Sequence, residues 1–188
     1  MQTPLQATLQ SEATRWFQSL DPVRPEEMIG LWRGVTHPSG HPLDGVLENL
    51  QWFGKRFQPD LRADALLFEG EPGRLVAVDP KFFPARFLTR FGAFGRSVRA
   101  RNLFSHIRPR VRARGPTATL KTALNDRLAT AVMVYDRLPI SDYFRRIDDH
   151  EIAGMMVLDR DPRRYFFALT RMEDAPEPNA VTSSEHAF

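Results

Sequence analysis

Two patterns of hydrophobic positions follow one another along this chain of 188 residues. Over residues 7–20 apolar side chains recur every three or four positions, which predicts an amphipathic helix. The apolar stripe of this helix comprises Leu9, Ala13, Trp16, Phe17 and Leu20. Asp21-Pro22 ends the helix, and Pro25-Glu26-Glu27 begins a short second turn, since proline and acidic residues suit a first turn. From residue 31 onward, short runs rich in apolar residues are separated by turn residues, which is typical of strands.

The predicted strands fall into two groups separated by a stretch without a clear pattern. They cover residues 31–37, 62–68 and 75–78, and then 110–124, 128–135, 140–147, 152–158 and 164–172. A short helix is predicted near residues 43–50. Short connections make successive strands antiparallel neighbours, and about eight strands can close a barrel around one small ligand. The sequence therefore predicts a mainly β fold, an antiparallel barrel with an N-terminal helix and short accessory helices.

Residues 80–107 and the C-terminus do not follow the strand pattern. Phe83, Phe87, Phe91 and Phe94 have helical spacing, which favours a helix or a mobile lid over residues 82–94. Residues 173–188 are rich in proline and small polar residues, so a flexible tail is expected there. Residues 1–172 are predicted to form a single barrel domain.

Composition narrows the class of protein. The chain has no cysteine, which excludes disulfides, thiolate nucleophiles and cysteine metal sites. With no visible secretory signal and no apolar run of about 20 residues, a cytoplasmic protein is expected. The net charge is only +3, yet no acidic residue occurs between Asp79 and Asp126, a span that carries eleven lysines and arginines. This span is therefore strongly basic.

The pentapeptide Gly30-Leu31-Trp32-Arg33-Gly34 places a large aromatic residue between two glycines. The chain has a helix, then a Gly-x-Trp element, then an antiparallel meander and finally a late arginine. This order resembles that of the lipocalin and calycin barrels. In those barrels the tryptophan seals the base and the arginine packs over the indole. The resemblance implies that Trp32 and Arg171 form a structural plug, with a cation–π contribution of about 0.5–2 kcal/mol. The alternative places both side chains in the ligand site.

A closer resemblance is to bacterial GXWXG-domain proteins whose second half is a domain of unknown function. It is carried by the pentapeptide, by Gln51-Trp52-Phe53-Gly54-Lys55-Arg56-Phe57, and by the run from Tyr135 to Arg145. The GXWXG half covers about residues 15–80 and the C-terminal meander half about 109–172. The resemblance implies a barrel of the lipocalin or fatty-acid-binding type and apolar ligands, without a mechanism.

Several side chains are candidates for binding such a ligand. Tyr135, Tyr143 and Arg145 are candidates on adjacent strands. Tyr143 and Arg145 would share one strand face, with Asp142 on the other, and this group either holds a carboxylate or fixes the hairpin that begins after Tyr135. The arginines at 108, 110, 112 and 114 alternate and would share one strand face. That face points outward to solvent or inward to an anion, and Arg112 is the candidate for the cavity mouth. The remaining candidates are Trp52 at a portal or in the core, and Met133 and Met155 as adaptable lining or core filling.

The function that this pattern favours is non-catalytic binding of a hydrophobic small molecule with a polar or anionic head, such as a fatty acid. The alternative is an enzyme acting on a lipid-like or aromatic substrate, for which an inward-facing acid or histidine beside Tyr135 or Tyr143 is the discriminating feature. A haem-binding barrel would need His106 or His150 to face the cavity; otherwise no cofactor or metal is expected.

A third alternative takes the basic span as an anionic-surface binder, for which binding to DNA or acidic vesicles would depend steeply on salt. No nucleic-acid partner is expected, and the oligomeric state is left open between a monomer and a homodimer.

Overall fold

The computed structural model describes residues 3–71, 73–82 and 92–172. Helix α1 spans Pro4–Gln18, with Pro4 in its first turn. The Thr3 hydroxyl accepts from the backbone N–H of Gln6, while the Gln6 side chain accepts from the backbone N–H of Thr3. This reciprocal cap satisfies two helix-end donors, so the helix begins three residues earlier than the apolar stripe indicates.

Ten strands are present in the described chain. They are β1 (Asp21–Pro22), β2 (Gly30–His37), β3 (Trp52–Phe57), β4 (Arg62–Glu69), β5 (Leu75–Ala77), β6 (Ala118–Asn125), β7 (Leu128–Tyr135), β8 (Ile140–Arg146), β9 (Glu151–Leu158) and β10 (Arg164–Met172). The shorter helices are α2 (Val46–Asn49), α3 (Gly92–Gly95) and α4 (Val98–Ile107), with 3₁₀ turns at Pro25–Met28, Pro80–Phe82 and Arg108–Val111.

The strands close into an antiparallel ring of eight. Its order is β8-β7-β6-β4-β3-β2-β10-β9, and β9 pairs back onto β8. The predicted mainly β, antiparallel barrel with an N-terminal helix is therefore confirmed. Its membership differs from the prediction, because β3 belongs to the ring while β5 pairs only with β4 outside it.

One junction of the ring is much shorter than the others. Strands β4 and β6 are joined by two residue pairs, Arg62–Thr119 and Ala63–Ala118. By contrast, β10 pairs with β2 from Phe166–His37 to Met172–Leu31. Where β4 continues beyond β6, it is covered by β5. The ring therefore has a short seam between β4 and β6.

The predicted strand from residue 110 begins later than expected. Residues 108–111 form a 3₁₀ turn with Pro109 in its first turn, because proline has no N–H for a ladder and a fixed φ. Arg112 forms an isolated antiparallel bridge with Val78, and β6 starts only at Ala118. The prediction that the arginines 108–114 share one strand face is therefore wrong.

The N-terminal helix packs on the outside of the barrel. Its buried Ala13 and Phe17 contact the outer faces of β9 and β10, at Ala153 and Phe166. The opposite faces of these strands turn inward and join the main core, which includes Trp32, Phe57, Phe144, Phe167 and Leu169. The helix thus determines which face of the adjoining strands is buried beneath it and which faces the interior.

The two glycines of the pentapeptide serve different packing needs. Gly30 has a φ of +129°, and a side chain there would also crowd the Arg171 guanidinium. A Cβ on Gly34 would lie 2.2 Å from the Trp52 ring, which is far inside contact distance. Gly30 therefore leaves space on β2 for the Arg171 guanidinium, and Gly34 leaves space for the Trp52 indole.

Two sequence predictions concern residues that the structure does not describe. Most of the proposed lid over residues 82–94 falls on positions 83–91, and the whole tail 173–188 lies outside the described residues. Among the helices that are described, none is long and apolar enough to cross a bilayer.

Candidate functional site

A small cavity of about 60 Å³ lies within the barrel. Its walls are mostly apolar and aromatic, as is usual for a binding pocket. The lining residues are Leu43, Leu47, Trp52, Lys55, Leu66, Pro80, Tyr135, Leu138, Ile140, Asp142, Met156, Tyr165 and Phe167. Two of these, Lys55 and Asp142, carry a formal charge. We call this space the inner cavity.

The two charged residues of the inner cavity form a buried ion pair. The Lys55 Nζ lies 2.8 Å from the Asp142 Oδ2, and the side chains are only 3% and 1% exposed. Lys55 also donates to the carbonyl oxygen of Ala65 at 3.0 Å, and its Nζ lies 3.4 Å from the Tyr135 hydroxyl. The ammonium is therefore well solvated by protein groups, as a buried charge must be.

Tyr135 completes this polar group. Its hydroxyl donates to the Asp142 Oδ2 at 3.4 Å. Burial, and then the nearby Asp142 charge, raise the pKa of Tyr135 well above its usual value. The phenol therefore stays protonated and acts as a donor inside the barrel. Lys55, Asp142 and Tyr135 together form a polar cluster in an otherwise apolar interior, which we call the inner triad.

A bulge in β3 brings the inner triad and an indole together. The pairing register of β3 with β4 shifts on both sides of Gly54, and a bulge changes which residues face inward. Trp52, Lys55 and Phe57 consequently all face the interior, although strict alternation would separate Trp52 from Lys55. Only glycine fits at the bulge, since a Cβ on Gly54 would lie 2.0 Å from the Trp32 carbonyl oxygen.

A larger cleft of about 560 Å³ opens at the surface beside the inner cavity. It is lined by Asp79, Pro80, Lys81, Phe82, Arg110, Arg112, Arg114, Gly115, Pro116, Thr117, Tyr135, Asp136, Arg137 and Leu138. Pro80, Tyr135 and Leu138 also line the inner cavity, so the two spaces adjoin at these residues. We call this space the arginine cleft.

The acidic residues of the arginine cleft are already paired. The Asp79 Oδ2 lies 2.9 Å from the Lys81 Nζ, and the Asp136 Oδ2 lies 2.5 Å from the Arg62 Nη2. Within the described residues, no carboxylate lies within ion-pair distance of four exposed guanidinium groups, although the charge of one of them, Arg137, helps to lower the pKa of Asp79; the four are Arg110, Arg112, Arg114 and Arg137. The cleft therefore presents a net positive lining that attracts anions.

The predicted head-group pair does not face the cavity. Tyr143 and Arg145 do share a face of β8, but that face packs under α1, where the Arg145 guanidinium lies 5.8 Å from the centre of the Phe17 ring. Arg145 is fully buried and donates to the carbonyl oxygen of Asn125 at 2.9 Å. The alternative in which this pair holds a head group in the cavity is therefore not supported, and the β8 residues that face the interior are Ile140, Asp142 and Phe144.

The other predicted ligand residues divide between the two sides of the barrel wall. Tyr135 and Trp52 line the inner cavity, and Met133 is fully buried in the same core without lining the cavity. Met155 lies on the outer face beneath α1. Arg112 is exposed and lines the arginine cleft, and its role in binding a ligand stays a prediction.

Trp32 and Arg171 make the contacts that a plug requires. The Trp32 indole is 1% exposed and donates from Nε1 to the Met28 carbonyl oxygen at 2.6 Å. The Arg171 guanidinium lies 4.3 Å from the centre of the indole ring and donates to the carbonyl oxygens of Ile29 and Glu27. Neither residue lines the inner cavity or the arginine cleft, so these contacts support the plug interpretation.

The histidines named for haem lie at the surface. His106 is exposed on α4, and His150 is exposed in the turn between β8 and β9, so neither faces the inner cavity. Among the described residues there is also no cluster of three or more histidine, aspartate or glutamate side chains that could hold a metal.

Among the four histidines that the structure describes, the buried one is His41, in the loop after β2. Its Nδ1 accepts from the backbone N–H of Leu43 at 3.1 Å, and its ring lies 5.6 Å from the ring of Tyr165 in the cavity wall. Burial lowers the pKa of His41 to about 4, and the charge of Arg163 acts in the same direction. His41 is therefore neutral in the folded protein at neutral pH.

This neutral histidine should make stability depend on pH. The pKa of His41 is about 6.5 in an unfolded chain and about 4 in the folded protein, so the unfolded chain binds the proton more readily. Its contribution to stability is complete above about pH 6.5 and is lost as the pH falls toward 4, by about 3 kcal/mol in total. In urea unfolding the wild type should lose about 2–3 kcal/mol more than His41→Asn between pH 7 and about pH 4.5. Equal losses would contradict this.

Fold and site together define a mainly antiparallel β-barrel protein with a buried polar triad and an arginine-lined cleft. Residues 15–73 match the family model described as GXWXG protein, and residues 116–171 match the domain of unknown function DUF4334. The chain therefore contains a GXWXG match followed by a DUF4334 match, which confirms the resemblance to GXWXG-domain proteins drawn from the sequence. The first match contributes β2–β4 and the second β6–β10, all to the same ring.

A solved structure supports the fold. The chain is similar to the crystal structure of a protein from Thermomonospora curvata, with 25% sequence identity over 86% of each chain and a TM-score of 0.62. No curated protein matches the chain.

Lys55 and Asp142 were not among the predicted site residues. A signal for Asp142 was present, because Ile140, Asp142 and Phe144 form a more apolar face of β8 than Ser141, Tyr143 and Arg145. A charged residue on the more apolar face of a strand indicates a buried, paired group. Lys55 gave no such signal, since its inward orientation depends on the bulge at Gly54.

Proposed function

We propose that this protein binds an amphiphilic small molecule whose anionic group lies in the arginine cleft and whose apolar part extends toward the inner cavity. The observation that carries the proposal is the cleft itself. Its acids are paired with Lys81 and Arg62, while four exposed arginines have no carboxylate partner among the described residues. A guanidinium group binds a carboxylate through two parallel hydrogen bonds.

The sizes of the two spaces support different roles for the arginine cleft and the inner cavity in binding one ligand. The cleft volume of about 560 Å³ falls in the range usual for small-molecule sites. The inner cavity, at about 60 Å³, has room only for the end of a molecule. The proposal therefore puts the head of the ligand in the cleft and only the end of its chain in the inner cavity.

The test is a calorimetric titration of dodecanoate into the wild type and into Arg112→Gln/Arg114→Gln. Removing two exposed charges should weaken binding about three- to tenfold, and the wild-type affinity should fall as salt is raised. Arg99→Gln/Arg101→Gln, which removes two exposed arginines from α4 outside the cleft, is the matched control. Unchanged affinity in the cleft variant, or an equal loss in the control, would count against the proposal.

An enzyme acting in the same cavity is the second candidate, and one observation favours it. Asp142 is an inward-facing acid whose Oδ2 accepts from the Tyr135 hydroxyl and pairs with Lys55. Such a group could accept or donate a proton at a bound substrate. Recovering the dodecanoate after incubation and measuring its mass separates the two candidates, since a binding protein returns it unchanged.

A further inference from the structure

Two buried polar atoms of the inner cavity walls have no hydrogen-bond partner within the described chain. They are the Asp142 Oδ1 and the Trp52 Nε1. Asp142 is 1% exposed and Trp52 is 7% exposed, so bulk water does not solvate either atom. An unpaired buried donor or acceptor costs about 1–3 kcal/mol. Both residues line the same cavity of about 60 Å³.

The chemistry of these two atoms selects the group that would complete them. The carboxylate oxygen accepts a hydrogen bond, and the indole N–H donates one. A hydroxyl group does both, and it is small enough for the space. A second carboxylate is disfavoured by the charge of Asp142, and an ammonium group cannot accept from the indole.

We propose that the inner cavity is a subsite for a ligand hydroxyl, held between the Asp142 Oδ1 and the Trp52 Nε1. Resting on the proposed function, this narrows the ligand class to an apolar acid that carries a hydroxyl remote from its carboxylate. The aromatic walls at Trp52, Tyr165 and Phe167 surround the apolar carbons next to that hydroxyl. The inner triad holds Asp142 in place, because Lys55 and Tyr135 both contact its other oxygen.

The test compares acids that differ only in the terminal hydroxyl. Dodecanoate and its ω-hydroxy derivative are titrated side by side, with the octanoate and hexadecanoate pairs to cover shorter and longer spans. The best hydroxy acid should bind about tenfold more tightly than its plain partner, because its hydroxyl donates to a charged acceptor. Trp52→Phe should reduce this preference about threefold, because it removes the indole donor and keeps Asp142, whereas the matched control Trp16→Phe, on α1 and outside the cavity, should leave it intact.

A spectroscopic signal keeps the test independent of variant stability. The chain has three tryptophans, so the three indole N–H resonances of the unmodified protein can be assigned by single substitutions. The Trp52 resonance should shift on addition of the hydroxy acid and much less on addition of the plain acid. Equal affinities with an unmoved Trp52 signal would overturn the subsite, while leaving the proposed function standing.

Failure of the proposed function has a different signature. If neither the plain nor the hydroxy acids bind, the proposal that the ligand carries an anionic group is wrong. The hydroxyl subsite is then tested separately with dodecanol. A Trp52 shift with this neutral alcohol supports the subsite alone, and an unmoved signal overturns it as well.

Discussion

Replacing Asp142 with alanine should destabilise the protein by about 3–5 kcal/mol, because it leaves the Lys55 ammonium buried without its counter-charge. Lys55 and Asp142 are 3% and 1% exposed and lie 2.8 Å apart, so water cannot take the place of the carboxylate. The measurement is the free energy of unfolding in urea at neutral pH. A loss below about 1 kcal/mol would contradict the expectation.

The matched control removes both charges together. Lys55→Met with Asp142→Leu replaces the pair by apolar side chains of similar volume, and such replacements are often neutral or stabilising by about 1–4 kcal/mol. The double variant should therefore be much more stable than Asp142→Ala. If it is also as stable as the wild type, the ion pair contributes little to folding. Its presence in an apolar barrel then favours a role in ligand binding or chemistry.

Replacing Trp32 with alanine should cost about 3–5 kcal/mol of unfolding free energy. The substitution leaves a large cavity in the core, deprives the Met28 carbonyl oxygen of its donor, and removes the ring beneath the Arg171 guanidinium. Trp32→Phe keeps most of the ring and should cost less, since it loses chiefly the hydrogen bond from Nε1. Chemical denaturation followed by circular dichroism measures both.

The control for Trp32 is another tryptophan on the same chain. Trp16 lies partly buried on α1, stacked on His37 with ring centres 4.1 Å apart, so Trp16→Ala opens no cavity within the barrel. It should cost clearly less than Trp32→Ala. If the two alanine variants were equally destabilised, the plug interpretation of Trp32 and Arg171 would be wrong.

The barrel was predictable from the sequence because its signals are local. Strands β7 to β10 are short, mostly apolar runs joined by short turns, so their extents and antiparallel order follow from the turn residues between them. Strand β3 was missed, since Gly54 and the adjacent Lys55 interrupt the alternation at the bulge. The count of about eight strands was nevertheless met, because β3 replaces β5 in the ring.

The site was less predictable because it depends on which face of a strand turns inward. Alternation on β8 separates Tyr143 and Arg145 from Asp142, but periodicity alone does not tell which set meets the interior. That choice is made by α1, whose Phe17 covers the face of Arg145. The pairing of Lys55 with Asp142 joins residues 87 positions apart (142 − 55) across the barrel, and no local pattern reports such a contact.

The short seam between β4 and β6 makes local opening of the barrel less dependent on its global stability. Few backbone hydrogen bonds must break for these strands to part, and the seam lies beside the arginine cleft, where Thr117 donates to the carbonyl oxygen of Ala63. The rest of the ring, with its long ladders, carries most of the resistance to unfolding. For the ligand proposed above, we expect release through a local opening of this seam, so that the release rate can change while the melting temperature stays the same.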